Sequence, residues 1–426
     1  DFERFRRRVE RATWMVPRLR HRVQPGPVAL APPLWVDDPD FDLDYHVRHL
    51  ALPAPGSMRQ LCDLATRIAA DPFERTRPLW AFIAVDGLEG GRGALIQKMH
   101  HTITDGEGGV RLSLEYLDFE RDAPEPPPID PAELPEPEPV QHVSSGGAVR
   151  DMLAGSLRIP IGFARQLSNL ATDPGRLPEA SAAAAETVRG VVTQLSDTEK
   201  ARSPLWTARS LRRRLETIRA PFDTTKASAK RLGGSLNTAF LTIAADGAGR
   251  YHRELGAPVD ELRASMVIST RTAESGANAF TLARLLVPTG AMSIAERFTA
   301  IQESAGTARS SAGSASLATL ATVAATLPTS LVTRLARQQG ETVDFATSNV
   351  RGSPTPCYIA GAKLLENYPI GPLAGVAFNL TLLSYAGSLD MGLHLDPAAV
   401  TDADLLRTCI EDAVTAFVAV GKRRKR

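Results

Sequence analysis

The sequence predicts a two-domain α/β protein of the α+β type, and three observations lead there. A chain of 426 residues exceeds the size at which a single hydrophobic core stops growing, so two cores are expected. The first part holds a hairpin of apolar, strand-like runs beside an amphipathic helix, and the last part mixes strand and helix periods. Between them, residues 121–140, "RDAPEPPPIDPAELPEPEPV", carry eight prolines and six acidic residues, a composition that buries little and favours extended structure. The boundaries drawn from this are 1–120 for an N-terminal domain, 121–200 for a Pro-rich and helical crossover linker, and 201–426 for a C-terminal domain.

Composition narrows the function classes. Forty-nine basic against 48 acidic residues leave a net charge of +1, so no overall field selects nucleic acid as a partner. Cys62, Cys357 and Cys409 are far apart and odd in number, which suits a reducing compartment and argues against a disulfide framework. The cytoplasm is the expected location. Asp1 is followed by "FERFRRRVERA", a charged helical pattern with no apolar signal core, so no export sequence is expected.

Taken in order, "SMRQLCDLATRIA" is a helix: Ser57 and Gln60 have capping-box spacing, and Leu61, Leu64, Ala65 and Ile68 make one apolar face. "LWAFIAV" and "GALIQKMH" are paired strands joined by the glycine-rich turn "DGLEGGR". After "KMHHTITDGEGG", Val110, Leu114 and Leu117 recur at helical spacing, so Asp105 stands where a helix begins. Further on, "ASMVIST" and "VAFNLTLLSY" are strands, and "SIAERFTAIQESA" is a helix capped by Ser293 and Glu296. In the uncharged stretch 310–333, Leu317, Leu320, Ala324, Leu327 and Leu331 form a helical stripe expected to pack in a core and not to span lipid. A last helix follows Thr401.

The adjacent histidines His100 and His101 carry the chemistry. If the strand runs through both, their side chains point to opposite faces and only one reaches a given cleft. A strand-borne metal pair would be spaced by two and needs further ligands that no compact set supplies, so no metal is expected. A histidine fixed at a strand end, with a capping aspartate and a glycine that leaves room beside it, suits a general base. The plain alternative is a core-packed histidine beside an aspartate that only caps a helix. No nucleophile elbow, P-loop or dinucleotide fingerprint accompanies the motif.

"HHTITDG" at 100–106 resembles the HHxxxDG signature of the CoA-dependent acyltransferase superfamily, which includes chloramphenicol acetyltransferase-like enzymes and the condensation domains of peptide synthetases. With "DPFERTRPLW" at 71–80, "SLNTAF" at 235–240, "SNVRGSPTP" at 348–356 and "YPIGPLAGVAFNLTLLSYAGSLDMGLHLD" at 368–396, the chain resembles the bacterial wax ester synthase/diacylglycerol acyltransferase family from about residue 15 onward. The resemblance implies two chloramphenicol acetyltransferase-like domains with mixed sheets and an active-site tunnel at their interface. It implies transfer of a long-chain acyl group from acyl-CoA to the hydroxyl of diacylglycerol or a long-chain alcohol. Acyl-CoA is then a co-substrate, with no cofactor, and a membrane or lipid-droplet surface is a further implied partner.

The same resemblance makes His101 the base, His100 its support, and Asp105 a structural residue paired with an arginine, matched here by Arg20 in "PRLRHRV". Gly106 would allow close backbone approach, while Asn237, Asn349 and Gly352 would lie near substrate. The family's Asn-Asp pair is Asn237–Thr238 here, and its opening strand has no counterpart. Plain readings stand beside these: Trp80 in the core, Asn349 and Gly352 in a turn, and "LRRRLETIR" and "KRRKR" as solvated charge. Two other functions stay open, a condensation-type or polyketide-associated acyltransferase using a carrier-protein thioester, and an inactive lipid-binding homologue.

Overall fold

The computed structural model describes residues 1–25, 33–104, 106–126, 129, 200–269, 280–312 and 340–421. Most of the linker, nearly all of the 310–333 stripe, Asp105 and "KRRKR" therefore lie outside the described residues. In chain order come α1 (Phe2–Met15), β1 (His21–Gln24), β2 (Leu34–Asp37), α2 (Leu43–His46), β3 (Val47–Ala51), α3 (Met58–Ala70), β4 (Trp80–Leu88), β5 (Arg92–Met99), α4 (Gly106–Ser113) and β6 (Leu117–Asp118). There follow β7 (Arg214–Pro221), α5 (Phe222–Arg231), α6 (Leu236–Glu254), β8 (Glu261–Ser269), β9 (Phe280–Pro288), α7 (Ile294–Ala312), β10 (Phe345–Arg351), β11 (Tyr358–Ile359), β12 (Ala362–Lys363), β13 (Phe378–Tyr385), β14 (Ser388–Leu395) and α8 (Ala403–Gly421).

The sheets are mixed, as the sequence predicts. In the first half β4 is central, parallel to β3 and antiparallel to β5. In the second half a six-stranded sheet runs β7-β14-β13-β10-β8-β9, with β10 parallel to both β13 and β8. A small sheet, β12-β11-β6, joins the halves, because Leu117 and Asp118 pair with Ile359 and Tyr358. Leu117 is therefore a strand residue: the helix predicted to include it ends at Ser113.

Local signals explain the elements. The Ser57 hydroxyl accepts from the Gln60 N–H, and the Gln60 side chain accepts from the Ser57 N–H, a capping box that starts α3. Ser293 and Glu296 are joined in the same reciprocal way at α7. From Arg214 on, the "LRRRLETIR" stretch becomes edge strand β7, with Leu215 and Ile218 buried and Arg214 and Arg219 turned to carboxylates. All three cysteines are free and buried.

Each half has its own core. Phe5, Val9, Leu19, Trp80, Phe82 and Tyr116 fill the first. In the second, Leu389, Met391, Leu393 and Leu395 alternate along β14 and meet Phe378, Leu380 and Leu382 of β13 beneath α6 and α8. α6 and α8 approach so closely at Gly247 that a methyl there would meet Ile410.

On the other face, Asn379 and Thr381 of β13 and Asp390 and His394 of β14 make a polar stretch crossed by residues 367–375. The Asn367 N–H donates to Asp390, the His394 imidazole lies 2.7 Å from the Gly371 carbonyl oxygen, and the Asn379 amide donates to the Pro372 carbonyl at 2.7 Å. Gly392 is needed beneath this strap, since a Cβ would overlap the Pro369 carbonyl oxygen. Ile370 of the strap and Leu215 then meet Met58, Cys62 and Ala65 of α3, which forms a seam between the halves. At its edge Arg59 reaches Glu216 at 2.5 Å.

Burial holds the imidazoles of His46, His252 and His394 below the ordinary histidine range. The unfolded chain takes up these protons near pH 6.5 and the folded chain resists them. Their contribution to stability is thus complete above about pH 6.5 and is lost as pH falls below it. Thermal melts should show a falling midpoint from pH 7 to pH 5; a flat midpoint would show that these groups are not held neutral.

Candidate active site

The site grows from the end of the β4–β5 hairpin. Trp80, the first residue of β4, pairs with Met99, the last of β5. The His100 N–H still donates to the Leu79 carbonyl at 3.0 Å, but the His100 carbonyl accepts from the Ile103 N–H and not from β4, so the ladder is left half-made at this pair. The strand therefore stops at Met99 and His100–Thr102 form a turn, closed by the Ile103 N–H to the His100 carbonyl at 2.9 Å. This corrects the strand-alternation expectation: both His100 and His101 are exposed on a turn.

The turn is anchored on both sides of the histidines. Ile103 is buried in the first core. Trp80 is 1% exposed, as its plain reading requires; its indole N–H donates to the Leu19 carbonyl at 2.7 Å and its ring stacks on His46 at 4.5 Å. His46 lies 2.8 Å through Nδ1 from the Trp80 carbonyl oxygen, and Phe41 stacks on its other face.

His100 is oriented locally. Its Nδ1 accepts from the Thr102 N–H at 3.2 Å and lies 2.8 Å from the Thr102 hydroxyl, an arrangement that leaves Nε2 carrying the proton of the neutral ring. Phe73 packs edge-on against it, with ring centroids 6.1 Å apart. Partial burial, then the neighbouring His101 and the Arg75 charge, hold its imidazole below the usual range.

α4 starts at Gly106 and carries the motif onto the second half. A Cβ on Gly106 would stand 3.0 Å from a Val350 methyl, and one on Gly109 3.4 Å from the Met99 methyl. Val110 and Val350 share a cluster with Cys357, Leu383 and Tyr385. Asn349, next to Val350, is exposed and lies within β10 in register with Leu382. The turn expected there begins only after the strand: β10 runs to Arg351 because Ser348–Arg351 stay paired with β13, beyond the Phe345–Thr347 stretch paired with β8. Gly352 is tightly enclosed by the Ser384 carbonyl and the Leu383 side chain.

Asn237 is half-exposed in the first turn of α6, where the Ser235 hydroxyl accepts from the Thr238 N–H at 3.1 Å. Thr238 is buried, with its hydroxyl 3.0 Å from that of Ser235, so the threonine at the family's aspartate position serves the helix cap. α6 leads directly into β8, which runs parallel to β10, so the start of α6 lies at the end of the sheet where β8 and β10 finish. Gly106, Asn237, Asn349 and Gly352 thus gather around one end of the second sheet.

Arg20 is held between aromatic rings, 4.0 Å from the Trp14 centroid and 4.3 Å from that of Phe41, and donates to the Thr13 hydroxyl at 3.3 Å. Its expected pairing with Asp105, and the capping role of Asp105, lie outside the described residues. Phe73, Thr102 and His46 were not singled out by the sequence reading; "DPFER" marks Phe73 only as part of a family segment. Among the described residues no cluster of three or more histidine, cysteine or acidic side chains is arranged to hold a metal.

Comparison with known proteins adds the following. Residues 1–240 match the wax ester synthase/diacylglycerol acyltransferase catalytic domain, and residues 276–417 match the C-terminal domain of the same family. A Mycobacterium tuberculosis protein with a provisional diacylglycerol O-acyltransferase name is 32% identical over 436 residues, covering 99% of this chain and 85% of that one. A second from that organism, similarly named, is 29% identical and covers 93% and 84%. The wax ester synthase/diacylglycerol acyltransferase of Marinobacter aquaeolei VT8 shares the fold, with a TM-score of 0.62 at 20% identity over 97% of this chain and 90% of that one. So does the first condensation domain of the calcium-dependent antibiotic synthetase, with a TM-score of 0.58 at 14% identity over 99% and 88%.

The Gly106–Val350 contact can be tested by compensation. Gly106→Val should cost about 1–3 kcal/mol of stability through overpacking, seen as a lower melting temperature, and Val350→Ala should restore part of it. Strictly additive effects in the double variant would show that the two positions do not touch.

Proposed function

The chain belongs to the wax ester synthase/diacylglycerol acyltransferase family and is an acyltransferase of that type, and from this we propose that it moves a long-chain acyl group from acyl-CoA to the hydroxyl of diacylglycerol, giving triacylglycerol, or to a long-chain alcohol, giving a wax ester. The observation that supports the reading is that His100 and His101 lie on an exposed turn shortly before Gly106, the start of α4, which abuts Val350 of the second half.

In this reading His101 takes the proton of the acceptor hydroxyl as its oxygen attacks the thioester carbonyl. The C–O bond forms, the C–S bond breaks, and the imidazolium returns its proton to the departing thiolate. The histidine ends as it began, and no redox partner or cofactor is needed. His100, fixed by Thr102 and Phe73, supports the turn; Asp105, in the structural role that the family resemblance implies, would hold the loop. Asn237, Asn349 and Gly352 would line the substrates' path. No described helix is long and apolar enough to cross a membrane, and a lipid acceptor would be met at a membrane or lipid-droplet surface from the cytoplasm. The shared fold with a condensation domain keeps a carrier-protein thioester as the second donor to assay.

Palmitoyl-CoA with diacylglycerol or hexadecanol should release thiol and give an ester of the expected mass. Turnover with an acyl carrier protein alone would favour the second reading, and no turnover with any donor would favour an inactive homologue. In an active preparation His101→Ala should lose about 10² to 10⁴ in rate with the fold intact, and His100→Ala should lose less. Near-normal turnover by His101→Ala would overturn the assignment.

A further inference from the structure

Three cations stand near the histidine turn with no salt bridge among the described residues. Lys98 is half-buried two residues before His100; its Nζ lies 4.4 Å from the Phe73 centroid and donates to the Asp71 carbonyl at 2.5 Å. Phe73 itself packs on His100, so one ring separates the ammonium from the imidazole. Arg75, two residues further on, is exposed and its charge acts on His100. Arg48 lies over Tyr45 and donates to the Tyr45 carbonyl, and its charge reaches Lys98.

Among the described residues none of the three has an ion-pair partner. The nearby carboxylates do not supply one: Glu74 is turned to the Thr76 N–H and hydroxyl, both at 3.0 Å, Asp86 pairs with His49, and Asp71 makes no salt bridge to Lys98, although its charge acts on Lys98 more strongly than that of Arg48. Like charges gathered beside an apolar ring repel one another until an anion joins them. The Lys98 ammonium has used one of its three donors on a carbonyl, and the Arg75 guanidinium fork fits phosphate oxygens. The lipid alcohols proposed as acceptors are uncharged, so an anion arriving at this rim belongs to the other substrate.

We infer that Lys98 and Arg75, set around Phe73 and backed by Arg48, form a phosphate-binding rim that holds a phosphorylated acyl-thioester donor by its phosphates while the thioester reaches the histidine turn. This rests on the thioester-transfer reading above and adds the residues that recognise the donor. Phosphate could also be presented by lipid headgroups, and the experiment separates the two sources.

The full chain and its Lys98→Ala, Arg75→Ala and Lys98→Arg variants are assayed with palmitoyl-CoA and with palmitoyl-N-acetylcysteamine, which carries the thioester without phosphates. The ratio of kcat/KM for the first donor to that for the second should fall about tenfold in each alanine variant, as expected for loss of one charge-assisted contact, and stay within about threefold in Lys98→Arg. Adenosine 3′,5′-bisphosphate, titrated calorimetrically into the same proteins, should bind about tenfold more weakly to the alanine variants. That titration needs no turnover, so it judges the rim even if the proposed reaction fails with both donors. An unchanged ratio with unchanged bisphosphate binding, or equal loss with both donors, overturns the inference. So does a loss confined to binding of phosphatidylglycerol vesicles, which would make the rim a headgroup contact.

Discussion

The pairing of Leu79 and Trp80 with Met99 and His100 is the constraint on which the site depends. Trp80 is fixed three ways: by its indole hydrogen bond to Leu19, by the His46 imidazole against its carbonyl, and by burial of its ring. Because Trp80 cannot shift, neither can Met99, and because the His100 carbonyl turns to the Ile103 N–H, the strand ends there. The histidine turn follows from where the ladder runs out. A one-residue slip would invert every side chain of β5, placing Ile96 and Met99 on the wrong faces, so the register is held by two cores at once.

From that turn the chain is handed to the second half. Ile103 sinks into the first core, α4 begins, and Gly106 lets the helix start lie against Val350. The strap at 367–375 completes the junction: it covers the polar stretch of β13 and β14 and sends Ile370 into the seam with α3. Site residues far apart in sequence meet because one strand, β10, ends beside both the motif helix and the end of the sheet where α6 begins.

Much of this was legible in the sequence because it rests on local signals. The capping boxes at Ser57 and Ser293, the β4–β5 hairpin and the mixed second half all depend on spacing or period. The family signature named the motif and its flanking segments. What stayed hidden was set by tertiary contact. The end of β5 depends on the turn that follows it, where the Ile103 N–H takes the His100 carbonyl as Ile103 sinks into the first core. Leu117 has helical spacing yet joins a strand because Ile359, from the other half, pairs with it. Asn349 looked like a turn residue, but pairing to β13 keeps it extended. The contact of Phe73 with His100 and the aromatic cage of Arg20 leave no mark in spacing, since each joins segments brought together only by the fold.

Direct transfer by a histidine base requires that donor and acceptor meet in one complex with no acyl group ever resting on the protein. Intact-mass spectrometry of the full chain, quenched after mixing with palmitoyl-CoA in the absence of any alcohol, tests this most directly. The expected result is an unmodified chain that forms ester only when diacylglycerol or hexadecanol is added. A stoichiometric palmitoyl adduct that chases into ester on adding the alcohol would contradict it and place a covalent nucleophile in the site.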